Sequence, residues 1–122
     1  MNKPHKRLDV WRTAVELVVG IYEVTAQFPR TERFSLTDQI RRAALSIPSN
    51  IAEGAARQTK KEFHNFLHIA KGSLSELDTH LEVALRLGFL SEKQWADLNT
   101  RLEQIDRMLS GLVRSLRKNQ DG

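Results

Sequence analysis

The chain has 122 residues, of which 40% are hydrophobic and 28% charged, and it contains no cysteine. A chain of this length forms one domain with its own core, and the lack of cysteine excludes disulfides and thiolate metal sites. Nineteen lysines and arginines against fifteen acidic residues give a formal net charge of +4, which permits anionic partners without selecting one. We expect a cytoplasmic protein with no membrane contact, because no signal-like or membrane-spanning apolar run is found.

The beginning of the chain predicts a loosely ordered basic arm over residues 1–8, followed by an amphipathic helix. Asp9 is the expected cap of this helix, and Pro29 is expected to end it. Between these limits, apolar residues recur at spacings of three and four, which is typical of one buried helix face: Trp11, Ala14, Val18, Ile21 and Phe28.

Residues 34–54 predict a second helix that begins at a Ser35 cap. Pro48 lies inside the helical pattern, where it removes a backbone donor and its ring clashes with the carbonyl of Ala44. We therefore expect a kink near Pro48, which serves either helix packing alone or the shaping of a surface. The spacing predicts these buried positions: Leu36, Ile40, Ala43, Ala44, Ile47 and Ile51.

Two longer helices complete the chain. Thr59 is expected to cap the third helix and Gly88 to end it, while residues 91–94 form a capping box that opens the fourth. Both helices carry unbroken stripes with heptad spacing, which predicts coiled-coil-like packing. The stripes are Phe63, Leu67, Ala70, Leu74, Leu77, Leu81 and Ala84 in the third helix, and Trp95, Leu98, Leu102, Ile105, Leu109, Leu112 and Leu116 in the fourth.

These four helices, joined by short connections, predict an all-α fold, an antiparallel up-down-up-down four-helix bundle with left-handed packing. The bundle is expected over residues 9–118, and residues 119–122 are expected to form a frayed tail. Further apolar residues lie beside the stripes, where they either widen the core or form a patch for self-association. They are Val10, Val15, Val19, Tyr22, Leu45, Phe66, Phe89 and Val113.

The predicted topology gathers basic residues at one end of the bundle. This basic pole combines the starts of the first and third helices with the ends of the second and fourth. It contains ten basic and four acidic residues, so that its net positive charge exceeds the +4 of the whole chain. Such a cluster is the electrostatic footprint of binding to a phosphate backbone, unless it is a solvated end where cations favour helix C-termini. The candidate contact residues are Arg57, Lys60, Lys61, Arg114, Arg117 and Lys118.

The sequence carries no convincing pattern for catalysis, for a cofactor or for a metal. His64 and His68 are four apart on one helix face, a spacing that allows two imidazoles to share a metal, but no third ligand is evident. We interpret them as surface or half-buried histidines. No serine lies in a nucleophile motif, and the segment after Gly54 lacks the remaining features of a phosphate loop. We therefore expect a protein that is not an enzyme.

Residues 46–54 read Ser-Ile-Pro-Ser-Asn-Ile-Ala-Glu-Gly, a long string of unusual composition. Together with residues 39–43, 61–63 and 72–74, this string resembles a bacterial family of four-helix-bundle proteins. The family includes proteins encoded within intervening sequences of 23S ribosomal RNA genes. The likeness runs over residues 8–90, nearly the whole predicted bundle.

The resemblance implies a homo-oligomer, commonly a pentameric ring or barrel. The chain is also similar to the accessory proteins of diversity-generating retroelements, which are thought to bind nucleic acid and a reverse transcriptase. The positions of interest that the resemblance carries over are Arg41, Arg42, Ser49, Asn50, Glu53, Gly54 and Arg57.

Two hypotheses follow. The first is a non-enzymatic oligomeric bundle that binds nucleic acid, with RNA favoured, through the basic pole and through Arg41 and Arg42. The second is a protein-interaction scaffold that recruits a partner protein and has no direct nucleic-acid role. Substitution of Lys60 and Lys61 separates them, because only the first hypothesis expects binding to be lost.

Overall fold

The computed structural model describes residues 3–121, apart from the side chains of residues 6, 7 and 118–121. Within this range the chain is helical and has no strand, which confirms the all-α class. Two short 3-10 turns span Pro4–Arg7 and Arg30–Glu32, and the four helices are α1 (Asp9–Thr25), α2 (Leu36–Ala55), α3 (Lys60–Arg86) and α4 (Glu92–Asp121). The helical backbone of α4 thus extends past the predicted limit at residue 118. Nowhere in the described range is a helix both long and apolar enough to cross a membrane.

Each helix packs against two others, so that the four form a closed ring of neighbours. α1 packs on α2, α2 on α3, α3 on α4 and α4 on α1, and the α2–α3 interface is the most extensive. Across the described residues, neither diagonal pair of helices is in contact. This arrangement encloses one core, as expected for a four-helix bundle.

The predicted stripes form that core. Trp11, Phe63, Trp95 and Leu112 lie partly buried at its margins. The largest side chains with essentially no solvent exposure are Leu17, Ile21, Ile40, Ile47, Ile51, Leu67, Leu77, Leu81, Ile105 and Leu109. All of them except Leu17 lie at positions that the helical spacing predicts.

The apolar residues beside the stripes divide between core and surface. Val10 and Val113 are buried and widen the core. In contrast, Val19, Tyr22 and Leu45 are exposed on α1 and α2. The remaining three, Val15, Phe66 and Phe89, are half-buried. The extra apolar positions therefore widen the core at some residues and stay exposed at others, and self-association through the exposed ones stays a prediction.

The starts of α3 and α4 follow the prediction. The Thr59 hydroxyl accepts a hydrogen bond of 3.1 Å from the backbone N–H of Glu62. The backbone N–H of Gln94 donates to the Ser91 hydroxyl at 3.1 Å, and the Ser91 N–H donates to Gln94 Oε1 at 2.9 Å. This reciprocal pair is the predicted capping box, which satisfies two N–H groups at the helix end.

Gly88 ends α3 as predicted. Its φ angle of +80° lies in the left-handed region, which glycine adopts without the steric penalty of a side chain. The N–H of Phe89 donates to the carbonyl of Ala84 at 2.9 Å, and the N–H of Gly88 donates to Leu85 at 3.0 Å. These bonds form a Schellman motif. They turn Phe89 back onto the bundle, where its ring centroid lies 5.6 Å from that of Phe28.

The predicted cap of α1 is wrong, and that of α2 is right in its position but not in its side-chain bond. Leu8 occupies the N-cap of α1, and Asp9 is the first helical residue, where its carboxylate pairs with Arg12 instead of capping. Ser35 does occupy the N-cap of α2, but its hydroxyl makes no cap bond. It donates instead to the Glu32 carboxylate at 2.8 Å, because the preceding 3-10 turn brings that acceptor within reach.

The predicted end of α1 at Pro29 is also wrong, since the helix ends at Thr25. The N–H groups of Gln27 and Phe28 donate to carbonyls three residues earlier, at 3.2 and 3.0 Å, which tightens the last turn. A residue before proline is disfavoured in the α conformation. Pro29 therefore disfavours the helical conformation of Phe28, the residue before it, so that the helix ends ahead of the proline.

Residues 3–8 are more structured than a loosely ordered arm. The 3-10 turn Pro4–Arg7 packs on both α1 and α2. The His5 ring meets Trp11 edge to face with 4.9 Å between ring centroids, and Leu8 packs against the core. The prediction of a loose arm is thus wrong for these residues, because Leu8 and Trp11 give the segment an apolar anchor. Residues 1 and 2 lie outside the described range.

Gly54 permits the close approach of α2 and α3. A Cβ atom at this position would lie 2.7 Å from the Cβ of Phe66 and 2.9 Å from the ring carbon Cδ1 of Phe63. Both distances are shorter than packed carbon atoms tolerate. The close approach of the two helices at this crossing therefore requires glycine at position 54.

A polar cluster joins the same two helices nearer their middle. The hydroxyls of Ser46 and Ser73 lie 2.7 Å apart across the interface. Asn50 Nδ2 donates to the Ser46 carbonyl at 2.8 Å and to its hydroxyl at 2.9 Å. Pro48 lies between Ser46 and Asn50 in sequence and is buried. Helix α2 continues through Pro48 without interruption. A kink at Pro48 stays a prediction.

The Gly54 contact can be tested with alanine. Gly54→Ala is expected to destabilise the fold by about 1–3 kcal/mol, because the new methyl group overpacks the α2–α3 interface. Gly72→Ala is the matched control in α3, where a Cβ atom would meet nothing within 4 Å. It is expected to stabilise the protein by about 0.5–1 kcal/mol through helix propensity alone. Urea unfolding measures both values, and a stabilising Gly54→Ala would contradict the close approach.

Candidate nucleic-acid interface

The turn from α2 into α3 presents three exposed basic residues. The Arg57 guanidinium donates to Glu53 Oε1 at 2.6 Å and lies 4.9 Å from the centre of the Phe66 ring. Lys60 and Lys61 are the first two residues of α3, and both are exposed. Neither lysine forms an ion pair with any described residue. Their charges are therefore available to an external anion.

The location of these lysines argues against a purely structural role. The N-terminus of a helix is the positive end of its dipole, so that cations there are disfavoured by roughly 0.3–1 kcal/mol. Glu62 is the acidic residue of this first turn and suits the dipole, whereas Lys60 and Lys61 oppose it. Helix stability explains basic residues at C-termini, and it does not explain this pair.

The end of α4 carries two further basic residues. Arg114 and Arg117 are both exposed on its last described turns. Arg117 lies close enough to α3 for its charge to act on His64. The structure thus brings Arg117 towards the Lys60 and Lys61 end of α3, as the predicted basic pole requires. The side chain of Lys118, also predicted for this site, lies outside the described residues.

His64 lies half-buried between these two helices. Its ring packs edge to face on His68 with 4.4 Å between centroids, and its Nε2 atom is buried without a hydrogen-bond partner. Burial lowers the pKa of His64 below its ordinary value of 6.5, and the charges of His68 and Arg117 lower it further. In the described part of the chain, no three potential metal ligands cluster. The histidine pair therefore stands without a third ligand.

Arg41 and Arg42 lie elsewhere on the bundle. The Nε atom of Arg41 donates to the Thr25 hydroxyl at 2.9 Å, and its guanidinium lies 4.4 Å from the centre of the Tyr22 ring. Arg42 points to solvent and donates to the Asp38 carboxylate at 2.9 Å. Arg41 is thus fixed against the end of α1, whereas Arg42 is a surface residue.

The predicted contact residues therefore fall into two groups. Helical rise places Arg41 about 21 Å from Ala55, the last residue of α2, and Arg57 lies just beyond that end. The structure does not bring Arg41 and Arg42 together with Lys60 and Lys61. A ligand bound flat on the basic pole would therefore contact Lys60 and Lys61 but not Arg41 and Arg42.

The aromatic residues near the basic pole are packed inward. Trp11 and Phe63 are partly buried against the core, and Phe66 lies under Arg57. In the described chain, the exposed aromatic residues are Tyr22 and Phe34, which lie near the end of α1 and the start of α2. Among the described residues, the pole therefore offers basic side chains for phosphates but no exposed phenylalanine, tyrosine or tryptophan ring on which a base could stack.

The sequence analysis missed a second concentration of arginine. Arg30 and Arg33 join Arg41 around a cavity of about 350 Å³ between the end of α1 and the start of α2. Arg30 and Arg33 are three residues apart in the turn that follows Pro29. That spacing indicates a local concentration of positive charge in the sequence, but only the fold brings Arg41 beside it.

The lowered pKa of His64 predicts a pH-dependent stability. Because the folded state holds His64 neutral, the unfolded state binds more protons below pH 6.5, and stability falls as the pH drops through that value. His64→Gln is expected to flatten this loss. Urea unfolding between pH 5 and pH 7.5 tests the prediction. An unchanged pH profile in His64→Gln would contradict it.

Comparison with known proteins agrees with this architecture. The family model for 23S rRNA-intervening sequence proteins matches residues 6–111. No curated protein matches the chain. A solved structure from Bacteroides thetaiotaomicron, a protein of unknown function from the S23 ribosomal protein family, is similar with a TM-score of 0.79 and 25% identity, over 86% of this chain and 95% of that one. The resemblance noted in the sequence is thereby confirmed, and the chain belongs to the family of 23S rRNA-intervening sequence proteins.

Proposed function

We propose that this protein is a non-enzymatic helical bundle that assembles with itself and binds RNA phosphates through its basic pole. The observation that carries the proposal is the pair Lys60 and Lys61, exposed without an ion-pair partner among the described residues at the helix end where cations are least favourable. The family description refers to 23S rRNA intervening sequences, which makes RNA the first nucleic acid to test. A cytoplasmic location belongs to the same proposal and rests on the cysteine-free sequence.

The proposal includes an antiparallel up-down-up-down topology. Contacts between α2 and α3 support it, since Ser46 meets Ser73 whereas Gly54, further along α2, meets Phe66, earlier on α3. One contact at each of two further interfaces also supports this topology. Arg41, near the start of α2, contacts the last turn of α1, and Lys71 of α3 contacts Ser110 of α4 at 2.6 Å. The heptad spacing of α3 and α4 supports left-handed packing.

This topology would place Arg57, Lys60, Lys61, Arg114 and Arg117 at one end of the molecule. Each exposed cation would neutralise one phosphate and release counterions, so that the affinity would fall steeply with salt. In an assembly, the pole of each subunit would repeat around one side, and a weak contact would be multiplied by avidity.

Self-association is proposed through the exposed apolar face of α1 and α2. Val19 is 53% exposed, and Tyr22 and Leu45 are also solvent-accessible. Arg41 covers the Tyr22 ring, and Leu45 follows one helical turn after Arg41, which places these residues on one face. A monomer exposes such a patch at a cost in solubility, whereas a homo-oligomer buries it. Five subunits is the number that the family resemblance implies.

The binding proposal is tested by fluorescence anisotropy with single-stranded RNA across a salt series. The double variant Lys60→Gln, Lys61→Gln is expected to weaken binding and to reduce the slope of log K against log salt by about 1.4, roughly 0.7 per lost phosphate contact on a single strand. The control Lys93→Gln, Arg107→Gln removes the same charge away from the pole and is expected to leave the slope unchanged. Equal losses in both variants would contradict a localised site.

Absence of RNA and DNA binding by the wild-type protein at low salt would overturn the proposal. The scaffold alternative would then take its place, and the search would turn to a protein partner.

The assembly proposal is tested by light scattering. Val19→Glu is expected to shift the protein to monomers, because a buried carboxylate in an apolar interface costs several kcal/mol. Ile69→Glu is the matched control on α3, since Ile69 is 52% exposed and nearly equal to Val19 in accessibility. It is expected to preserve the wild-type mass. A monomeric wild-type protein, or dissociation only in the control, would contradict the proposed face.

A further inference from the structure

We propose that the cavity between the end of α1 and the start of α2 is a binding site for a phosphomonoester group, distinct from the basic pole. The cavity has a volume of about 350 Å³, at the lower end of the range for small-molecule pockets. Its polar lining consists of Thr25, Arg30, Arg33, Thr37 and Arg41. Three cations and two hydroxyls, with no carboxylate, define its chemistry.

The three arginines lack the partners that other arginines of this chain have. Arg42, Arg57 and Arg86 each pair with a carboxylate one helical turn away. In the described part of the protein, no carboxylate pairs with Arg30, Arg33 or Arg41. Three arginines without a carboxylate partner thus line one cavity, and a bound anion would supply that partner.

Thr37 supplies the independent observation of an unfilled site. Its side chain is only 6% exposed, it lines the cavity, and its hydroxyl has no hydrogen-bond partner. By contrast, Thr25 on the facing helix is fully engaged, since its hydroxyl donates to the Ile21 carbonyl at 2.7 Å and accepts from Arg41. A buried hydroxyl without a partner is uncommon because its desolvation is uncompensated. Rotation of the Thr37 side chain towards the cavity would give its hydroxyl an acceptor on a bound anion.

The backbone at the start of α2 favours the same ligand. Thr37 lies in the first turn of this 20-residue helix, where N–H groups have no acceptor within the helix. Ser35 would ordinarily cap them, but its hydroxyl is directed to Glu32. The first turn of α2 therefore has no side-chain cap beside the cavity that Thr37 lines, and Asp38 of the same turn directs its carboxylate to Arg42. Uncapped N–H groups at a helix start favour phosphate groups.

A phosphomonoester fits this set of donors better than a carboxylate does. Its three terminal oxygens and near-double charge can accept from several guanidinium groups and a hydroxyl together. Arg41 is already held in place by Thr25 and by the Tyr22 ring, so that little rotamer entropy is lost on binding. Phe34 follows Arg33 in the chain, contacts its guanidinium and is 90% exposed. A nucleobase attached to the phosphate would find a stacking surface there.

Isothermal titration calorimetry with inorganic phosphate and with adenosine monophosphate, at constant ionic strength in chloride, tests the site. Arg30→Gln and Arg33→Gln are each expected to lower the phosphate affinity about tenfold or more. The matched control is Arg42→Gln, which neighbours Arg41 in sequence but has a side chain that is 78% exposed and bonded to Asp38. This control is expected to bind phosphate as the wild-type protein does.

Thr37→Val separates a ligand site from a structural role. It is expected to weaken phosphate binding about tenfold while leaving the stability of the free protein unchanged or higher, since the unpartnered hydroxyl is removed. Tighter binding of adenosine monophosphate than of phosphate, lost in Phe34→Ala, would identify a nucleotide as the ligand. Equal binding of both would identify the free anion. Either result supports the site.

No phosphate or nucleotide binding in the millimolar range, or equal losses in Arg33→Gln and Arg42→Gln, would overturn the proposal. The Lys60→Gln, Lys61→Gln variant should retain phosphate binding, because those residues lie beyond the far end of α2. Failure of this site and failure of RNA binding at the pole are therefore distinguishable.

Discussion

The close approach of α2 to α3 is the constraint on which the rest of the structure depends. Gly54 leaves room for Phe63 and Phe66 where the helices come nearest, and Ser46 meets Ser73 further along the same interface. This is the most extensive contact in the bundle. The Ser46–Ser73 hydrogen bond and the close contact at Gly54 each tolerate only a narrow range of distances. Together they fix the register of α2 against α3.

That interface also explains the unusual string over residues 46–54. Ser46 and Asn50 form a polar cluster with α3, Gly54 permits the crossing, and Glu53 holds the Arg57 guanidinium. These roles are structural, and they account for most of the polar and small residues in the string. The residues of the proposed function lie just after the end of the string. By fixing the turn after α2, the interface determines where Arg57 and the two lysines that begin α3 are presented.

Most of the fold could be predicted from the sequence because helical spacing and local end signals report on it directly. The stripes of α3 and α4, the Thr59 cap, the capping box at Ser91 and the glycine stop at Gly88 need only neighbouring residues. Two predictions failed because a neighbouring side chain competed with the cap: Ser35 donates to Glu32, three residues earlier, and Asp9 pairs with Arg12. Others failed because a distant contact decided the outcome, since the segment before α1 is held by packing on two helices. The arginine cavity escaped notice for the same reason, since only the packing of α1 on α2 joins Arg41 to Arg30 and Arg33.

The two groups of basic residues differ in how their charge is held, and this difference determines what each can recognise. Lys60 and Lys61 are exposed, so that in the proposed complex they would follow a polyanion, and each would add a small, salt-sensitive increment of affinity. Arg41 is fixed by a hydroxyl and an aromatic ring beside a buried threonine, which favours one anion of defined shape. Because the length of α2 lies between them, a phosphate bound in the cavity would screen little of the charge at the pole. One bundle could therefore carry a small anion and a nucleic acid at the same time without competition between them.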